Sequence, residues 1–406
     1  LGVASELRVV VLRDDAPYAE LSSSDTAFAL PLTIDAGLHL YDLEVTWDDG
    51  TGWWREVLVA EDVVCGDVLL IDGQSNAVAC DYHNEQIADL EANTFVRSYG
   101  SAVTNNSLAS DQSFDIAKAQ ACHSHATIGQ WGLRMANVLK DAEELPILVI
   151  NGAVGGTTVE AHQRDDANPT NLDTIYGRLL WRVQQAGVAE AVRAIFWHQG
   201  ESNAQQAYAD YLALWTAMYE DWLSDYPNVE GIYPFQVRAG CGDPTWNRNV
   251  HRELPQLLEK VAGNMSTTGV DGHDGCHFYT GTYLEWGERM ARLAHRDLYG
   301  AVYDEPIEAP NPQSAQWTSE TELVIEYGES GTGMILQAGA EAYFSLSDGA
   351  LISSVSVLGT TLVLTTQSPS SASSLSFVDA IGDIPWLVNG LGIGGFAYYD
   401  FPINTP

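Results

Sequence analysis

Between about residue 63 and residue 305 short apolar runs alternate with helical periodicities, and this alternation constrains the fold more than any other feature of the chain. The runs "DVLLIDG", "LPILVINGAVGG", "VRAIFWHQG" and "GIYPFQV" have the length and β-branched content of buried strands. Between them, "QWGLRMANVLKDAEE", "YADYLALWTAMYEDWLSDY" and "LEWGERMARLAHRDLY" place apolar residues three and four apart, the spacing of an amphipathic helix. Strands that are apolar on both faces need cover on both faces, which a parallel sheet between two layers of helices supplies. An α/β fold, three layers in α/β/α order with a mainly parallel sheet, is therefore expected over residues 63–305.

The flanks read differently. "LRVVVLR" and "LHLYDLEVTW" are strand-like stretches broken by "DDG" and other turns, so residues 1–62 are expected to form an N-terminal β domain. After the Pro-rich "DEPIEAPNPQSA" no helical period remains, and Ser, Thr, Gly and short β-branched runs mark residues 306–406 as a C-terminal β domain. Three domains suit a length of 406 residues, more than one core usually serves. No internal repeat is visible.

Charge narrows the partners. Eighteen Lys and Arg stand against 55 Asp and Glu, a net −37, and the lysines are Lys118, Lys140 and Lys260. A surface this negative repels phosphate backbones and anionic lipid, which excludes nucleic acid and membrane surfaces as partners. It also suits a protein kept soluble at high salt, where the screening length falls to about 3 Å at 1 M. No apolar run approaches the roughly 20 residues of a membrane span. The opening "LGVASELRVVVLRDD" lacks a basic region and cleavage site, so the expectation is a secreted or periplasmic protein whose signal peptide is not in this chain. Five cysteines, Cys65, Cys80, Cys122, Cys241 and Cys276, leave at least one thiol free.

Four strand ends carry the chemistry. In "LLIDGQSNAVA", residues 69–79, a buried strand runs through glycine into Ser75, at the edge where open α/β sheets bind ligands. Ser75 is there either a nucleophile or, with Asn76, the cap of the next helix. A nucleophilic serine needs a base, a group that orients the base, and donors for the oxyanion. "VDGHDGCHFYTG", residues 270–281, offers Asp274 and His277 three apart on one loop. Two other readings stand beside it: a metal site of His273, Cys276 and His277, which lacks the paired spacing of zinc sites, and a solvated turn that starts a helix. "NGAVGGTTVEAH", residues 151–162, brings Gly155 and Gly156 to a strand end, where a backbone N–H can approach a ligand. "FWHQGESNA", residues 196–204, ends a strand on Gln199, Glu201 and Asn203. Cys241, just after "IYPFQV", and Cys276 are placed either to form a disulfide that pins the His277 loop or to remain two small buried thiols.

Taken in order, "GQSN", "VINGAVGGTTVEA", "WHQGES" and "DGCH" resemble the blocks of the SGNH hydrolases, in the branch of the sialate O-acetylesterases and carbohydrate acetylesterases. "VLVAEDVVCGDVLLIDGQSNA", "ATIGQWGLRMANVLKDA" and the tail "IPWLVNGLGIGGFAYYDFPI" are similar to that branch as well. The resemblance implies Ser75 as nucleophile, His277 as base and Asp274 as its partner. The oxyanion donors would be the N–H groups of Ser75 and of Gly156 or Gly155, with the Gln199 side chain. Asn76, Glu201, Asn203 and His162 would support the site or touch substrate. Ala77 and His162 stand where the family often has Met and Trp, changes expected to remodel the pocket wall. No metal or organic cofactor is implied. The expected activity is removal of acetyl groups from a carbohydrate. The acidic field favours a neutral glycan such as acetylxylan, with O-acetyl sialic acid as the alternative. A carbohydrate-binding protein with an inactive core is the rival that is not an enzyme.

Overall fold

The core is built on β5 (Asp67–Gly73), whose alternate side chains enter two separate hydrophobic clusters. Leu69 and Ile71 face one side and Val68 and Leu70 the other, as the two-residue period of a strand requires. The computed structural model describes residues 6–25, 28–102, 104–105, 111–242, 246–378 and 386–404. Within them β6 (Val96–Tyr99), β7 (Phe114–Ile116), β8 (Ile147–Asn151), β9 (Val192–His198), β10 (Gly231–Gln236) and β11 (Met265–Ser266) join β5 in one sheet, ordered β11-β10-β9-β5-β8-β6-β7. Every pair is parallel except β6 with β7 at the edge.

The helices divide as the strand faces do. α2 (Gln130–Glu143) and α6 (Thr280–Tyr299) cover the Leu69 and Ile71 face through residues such as Trp131, Met135, Trp286 and Met290. α3 (Ile175–Gln185), α4 (Tyr208–Asp225) and α5 (Trp246–Leu257) cover the other through Leu179, Trp215 and Val250. This is the three-layer α/β/α core that the alternation of apolar runs requires. β8 precedes β9 in sequence yet lies on the opposite side of β5, so the strand order reverses at β5. A crevice at the carboxyl ends of β8, β5 and β9 follows from that reversal.

Ahead of the core, β1 (Glu6–Arg13), β2 (Ala16–Ser23), β3 (Gly37–Asp48) and β4 (Trp54–Cys65) form an antiparallel sheet in the order β2-β1-β3-β4. β4 continues three residues past the expected limit at 62, because Asp62, at φ 54°, forms a bulge opposite Asp42 and pairing with β3 resumes at Val63. At Gly66 a Cβ would fall 1.9 Å from the Pro146 carbonyl oxygen, so only glycine fits there.

Behind the core, β12 (Ser314–Ser319), β13 (Glu322–Glu326), β14 (Ile335–Leu336), β15 (Phe344–Leu346), β16 (Ile352–Leu358), β17 (Thr361–Thr366), β18 (Ser374–Phe377), β19 (Leu387–Val388) and β20 (Tyr398–Pro402) make antiparallel sheets around Leu323, Leu364 and Phe377. Residues 384 and 385 of the tail quoted above lie outside the described residues. This last unit is clamped to the core twice. Gln236 Nε2 donates to Ala397 O at 2.8 Å while Ala397 N–H donates back to Gln236 Oε1 at 2.9 Å. Asn249 repeats the motif with Tyr399, at 2.8 and 3.1 Å.

Candidate active site

β5 ends on Gly73 at φ +133°, where a Cβ would come within 2.2 Å of the His198 carbonyl oxygen. A bare glycine is what lets the strand end against β9 and turn. Gln74 N–H then donates to His198 O at 2.8 Å, and a single helical turn, α1 (Ser75–Val78), begins. Ala79 closes it in the left-handed conformation at φ 44°, its N–H bonded to Ser75 O. Ser75 thus sits at the start of a turn, where its N–H has no acceptor within the helix. Its residue exposure is 8%, and the position of a Cβ on Gly155 lies 3.5 Å from Ser75 Cβ. Gly155 and Gly156 are exposed and Gly156 has φ +72°, so the loop after β8 presents backbone beside the serine.

Loop 270–279 supplies the other groups. Asp274 Oδ1 accepts the N–H groups of Cys276 and His277, each at 2.8 Å, and Asp274 N–H donates to His277 O at 2.9 Å. This local ring presents both side chains together, with His277 Nδ1 3.8 Å from Asp274 Oδ2. Partial burial pushes the Asp274 pKa up, but the two N–H donors and the neighbouring His277 and His83 outweigh it, leaving it below the usual aspartate value. Tyr82 ties the loop to the serine. Its ring stacks on His277 at 4.1 Å between centroids, and its hydroxyl donates to Ser75 O at 2.8 Å.

Beneath lies a buried polar layer. Asn76 Nδ2 donates both to Glu201 Oε1 at 3.0 Å and to Cys276 O at 3.1 Å, while Tyr283 OH donates to Asn76 Oδ1 at 2.8 Å. Glu201 is 5% exposed. Burial raises its pKa against the opposing Asn76 bond and His277 charge. Asn203 joins three segments: its Oδ1 accepts from Val159 N–H and from Gln199, and its Nδ2 donates to Glu160 and Gln206.

Three expectations are placed differently. Gln199 is wholly buried, its Nε2 directed to Asn203 Oδ1, Thr157 O and Gln74 Oε1 and its Oε1 accepting from Tyr211. In this arrangement it braces the Gln74 turn. Neither Ala77 nor His162 forms pocket wall, since both are fully buried. His162 bridges Asp72 and Thr157 inside the fold. The metal reading loses its sulfur ligand, because Cys276 is joined to Cys241 with Cα atoms 4.6 Å apart.

Residues that the strand-end argument did not single out also shape the site. His83 Nε2 lies 3.9 Å from Asp274 Oδ2, and its ring packs on Tyr279 at 4.1 Å. Arg238 Nη1 donates to Gly275 O at 2.9 Å and holds the loop from the β10 side. Cys80, two residues past α1, is bonded to Cys122. One disulfide therefore fastens the segment after Ser75 and the other the loop that carries Asp274 and His277. Cys65 is the free cysteine among the described residues.

Ser75, His277 and Asp274 are thus gathered beside the carboxyl edge of the α/β/α sheet. Residues 65–296 match the family described as SASA, carbohydrate esterase, sialic acid-specific acetylesterase, and the chain belongs to that family. Among solved structures it is similar to a carbohydrate acetylesterase from Xanthomonas citri, with a TM-score of 0.69 and 18% identity over 98% of this chain and 93% of that one. An Arabidopsis thaliana protein aligns at a TM-score of 0.44 and 19% identity, over 56% of this chain and 97% of that one. A family two carbohydrate esterase from Clostridium thermocellum, solved with cellohexaose, aligns at 0.33 and 11%, over 73% and 88%. No curated protein matches in sequence.

Proposed function

We propose that this carbohydrate esterase removes O-acetyl groups by an SGNH-type serine mechanism, with Ser75 as nucleophile, His277 as base and Asp274 as its partner. The observation that carries the reading is Tyr82, which touches the Ser75 carbonyl and the His277 ring at once and so brings two residues 202 positions apart into one site. In the first step His277 takes the Ser75 proton as Oγ bonds to the ester carbon. The tetrahedral oxyanion is held by the N–H groups of Ser75 and of Gly155 or Gly156. The C–O bond to the sugar then breaks, its oxygen receiving the proton from His277 and leaving acetyl-Ser75. Water attacks that ester with His277 again as base, releasing acetate.

The acidic chain favours a neutral acetylated glycan of the xylan type. The family description keeps O-acetyl sialic acid as the second reading. Two disulfides beside the site support an oxidising compartment, secreted or periplasmic. Acetate release from acetylated xylo-oligosaccharides and from O-acetyl sialic acid, measured side by side with a chromogenic aryl acetate, tests the proposal. Faster release from the xylan fragments is expected. Turnover of sialate alone would reverse the order, and inertness toward all three would leave a binding protein.

A further inference from the structure

Where α5 meets β20, a cleft of about 430 Å³ opens between the hydrolase core and the C-terminal sheets. Tyr208, Trp246 and Tyr399 line it, and Phe401 lies buried in its floor. Trp246 is 37% exposed, its ring 6.0 Å from that of Tyr399 and tilted 52° to it. Polar groups stand beside the rings: Glu253, which accepts from Tyr208 OH and pairs with Arg252, and the exposed Asp400. We propose that this cleft is a second carbohydrate-binding subsite, which holds the backbone of the same neutral glycan whose acetyl group reaches Ser75. The inference rests on the esterase reading given above.

The chemistry of the wall selects the ligand. One face of a pyranose ring is a patch of C–H bonds that packs on the negative face of an aromatic ring, while its hydroxyls point outward and need donors and acceptors. Aromatic rings next to Glu253, Arg252 and Asp400 offer both at once. Two carboxylates against one guanidinium, on a chain of net charge −37, disfavour an anionic sugar there. The volume falls in the range of small-ligand sites.

Position ties the cleft to the ester. α4 and α5 follow β9 and β10, so Tyr208 and Trp246, their first residues, stand at the carboxyl edge of the sheet that also presents Ser75. Asn247, next to Trp246, donates to Gly200 O at 2.6 Å, and Glu201, the next residue, receives Asn76 Nδ2. The route from Trp246 to the neighbour of Ser75 is thus a short series of buried hydrogen bonds. The opposite wall is fixed by the Asn249–Tyr399 clamp, so the subsite is formed before ligand arrives.

Two measurements test this. In the first, kcat/KM is compared for a long acetylated xylo-oligosaccharide and for a chromogenic aryl acetate too small to reach the cleft. Trp246→Ala and Tyr399→Ala should each lower the ratio of the two by about tenfold, with Trp246→Phe recovering most of it. In the second, Ser75→Ala is titrated with unacetylated xylohexaose, and adding Trp246→Ala should weaken binding by a similar factor. A wild-type protein inert toward the aryl acetate, the acetylated xylo-oligosaccharide and O-acetyl sialic acid sinks the esterase reading, and the titration still decides the cleft. Unchanged ratios in both single variants, with unchanged xylohexaose binding, overturn the subsite while leaving the esterase intact.

Discussion

Asn76 donates its side-chain amide to the carbonyl oxygen of Cys276 across 200 residues of sequence, at 3.1 Å. The residue after Ser75 thereby holds the residue before His277. The same amide reaches Glu201, so one side chain sets the spacing of two loops. Asn76→Ala should cost about 10² in kcat with little change in KM, because it lets the His277 loop drift without touching substrate contacts. Steady-state kinetics on an aryl acetate decides this. A loss confined to KM would mean that Asn76 binds substrate instead.

Ser75→Ala should abolish acetate release while shifting the melting temperature by no more than about two degrees, since one hydroxyl at a turn contributes little to the core. His277→Ala should be nearly as damaging, because the members act as a unit. Asp274→Asn should retain more activity, as its remaining side-chain oxygen can still accept the Cys276 and His277 N–H groups. His273→Ala is the control within the loop and should stay within a few-fold of wild type. A dead His273→Ala beside an active His277→Ala would reassign the base.

The Cys241–Cys276 bond closes a loop across 35 residues, and losing it should cost about 2–4 kcal/mol of stability. Because Cys276 adjoins His277, the double variant Cys241→Ser, Cys276→Ser should lose activity even at temperatures where circular dichroism shows it folded. Removing Cys80 and Cys122 together should lower the melting temperature as well. Full activity in the folded Cys241→Ser, Cys276→Ser protein would show that Arg238, Asn76 and Tyr82 suffice to hold the loop.

Acid should unfold this protein through its buried histidines. His198 is stacked on Trp286 with ring centroids 5.3 Å apart, and burial lowers its pKa to about 3. His251 is held at about 3 by burial and then by His198 and Arg248. Both pKa values lie below the unfolded value of about 6.5, so the unfolded chain takes up protons first. Their stabilisation is complete above about pH 6.5 and declines as pH falls toward 3, by about 2 kcal/mol for each at pH 5. Glu201, with its raised pKa, works in the opposite sense, its contribution declining as pH rises through that value. Melting curves in 1 M NaCl from pH 7 to 5 should fall for wild type and fall less steeply for His198→Phe, which keeps the stack. Equal slopes would acquit His198.

With a net charge of −37, self-repulsion is strongest when screening is weakest, so the melting temperature should rise between near-zero and about 1 M NaCl. Differential scanning calorimetry reads this directly. A flat or falling curve would remove the case for salt adaptation.

The strands of the core were legible because they are apolar on both faces, and the closeness of Asp274 and His277 because they stand three apart on one loop. α5 was not legible. It buries Asn247, Arg248, Asn249 and His251 where an amphipathic pattern would place Leu or Val, since it packs against the hydrogen-bonding edge of the site and the C-terminal sheets. The burial of Gln199 was not legible for a related reason: a strand-end amide reads as pocket-facing, yet Tyr211 and Asn203 enclose it. Tyr82 and His83 follow Ser75 by seven and eight residues in a segment without regular period, so nothing local pointed to the ring that stacks on His277.

The central place of β5 has a consequence for the order in which the molecule is made. Gly73 pairs with His198, 125 residues later, and the Asn76 contact waits for Cys276. At roughly 5–20 residues per second on the ribosome, the nucleophile's strand leaves the exit tunnel several seconds to half a minute before its β9 flank exists. Until then one edge of this buried central strand is open to pair with a neighbouring nascent chain. With His277 as the proposed base, ester hydrolysis would be a late signal in biogenesis, switched on only after just over two thirds of these 406 residues have been synthesised, and a product truncated before residue 277 should be silent in an acetate assay.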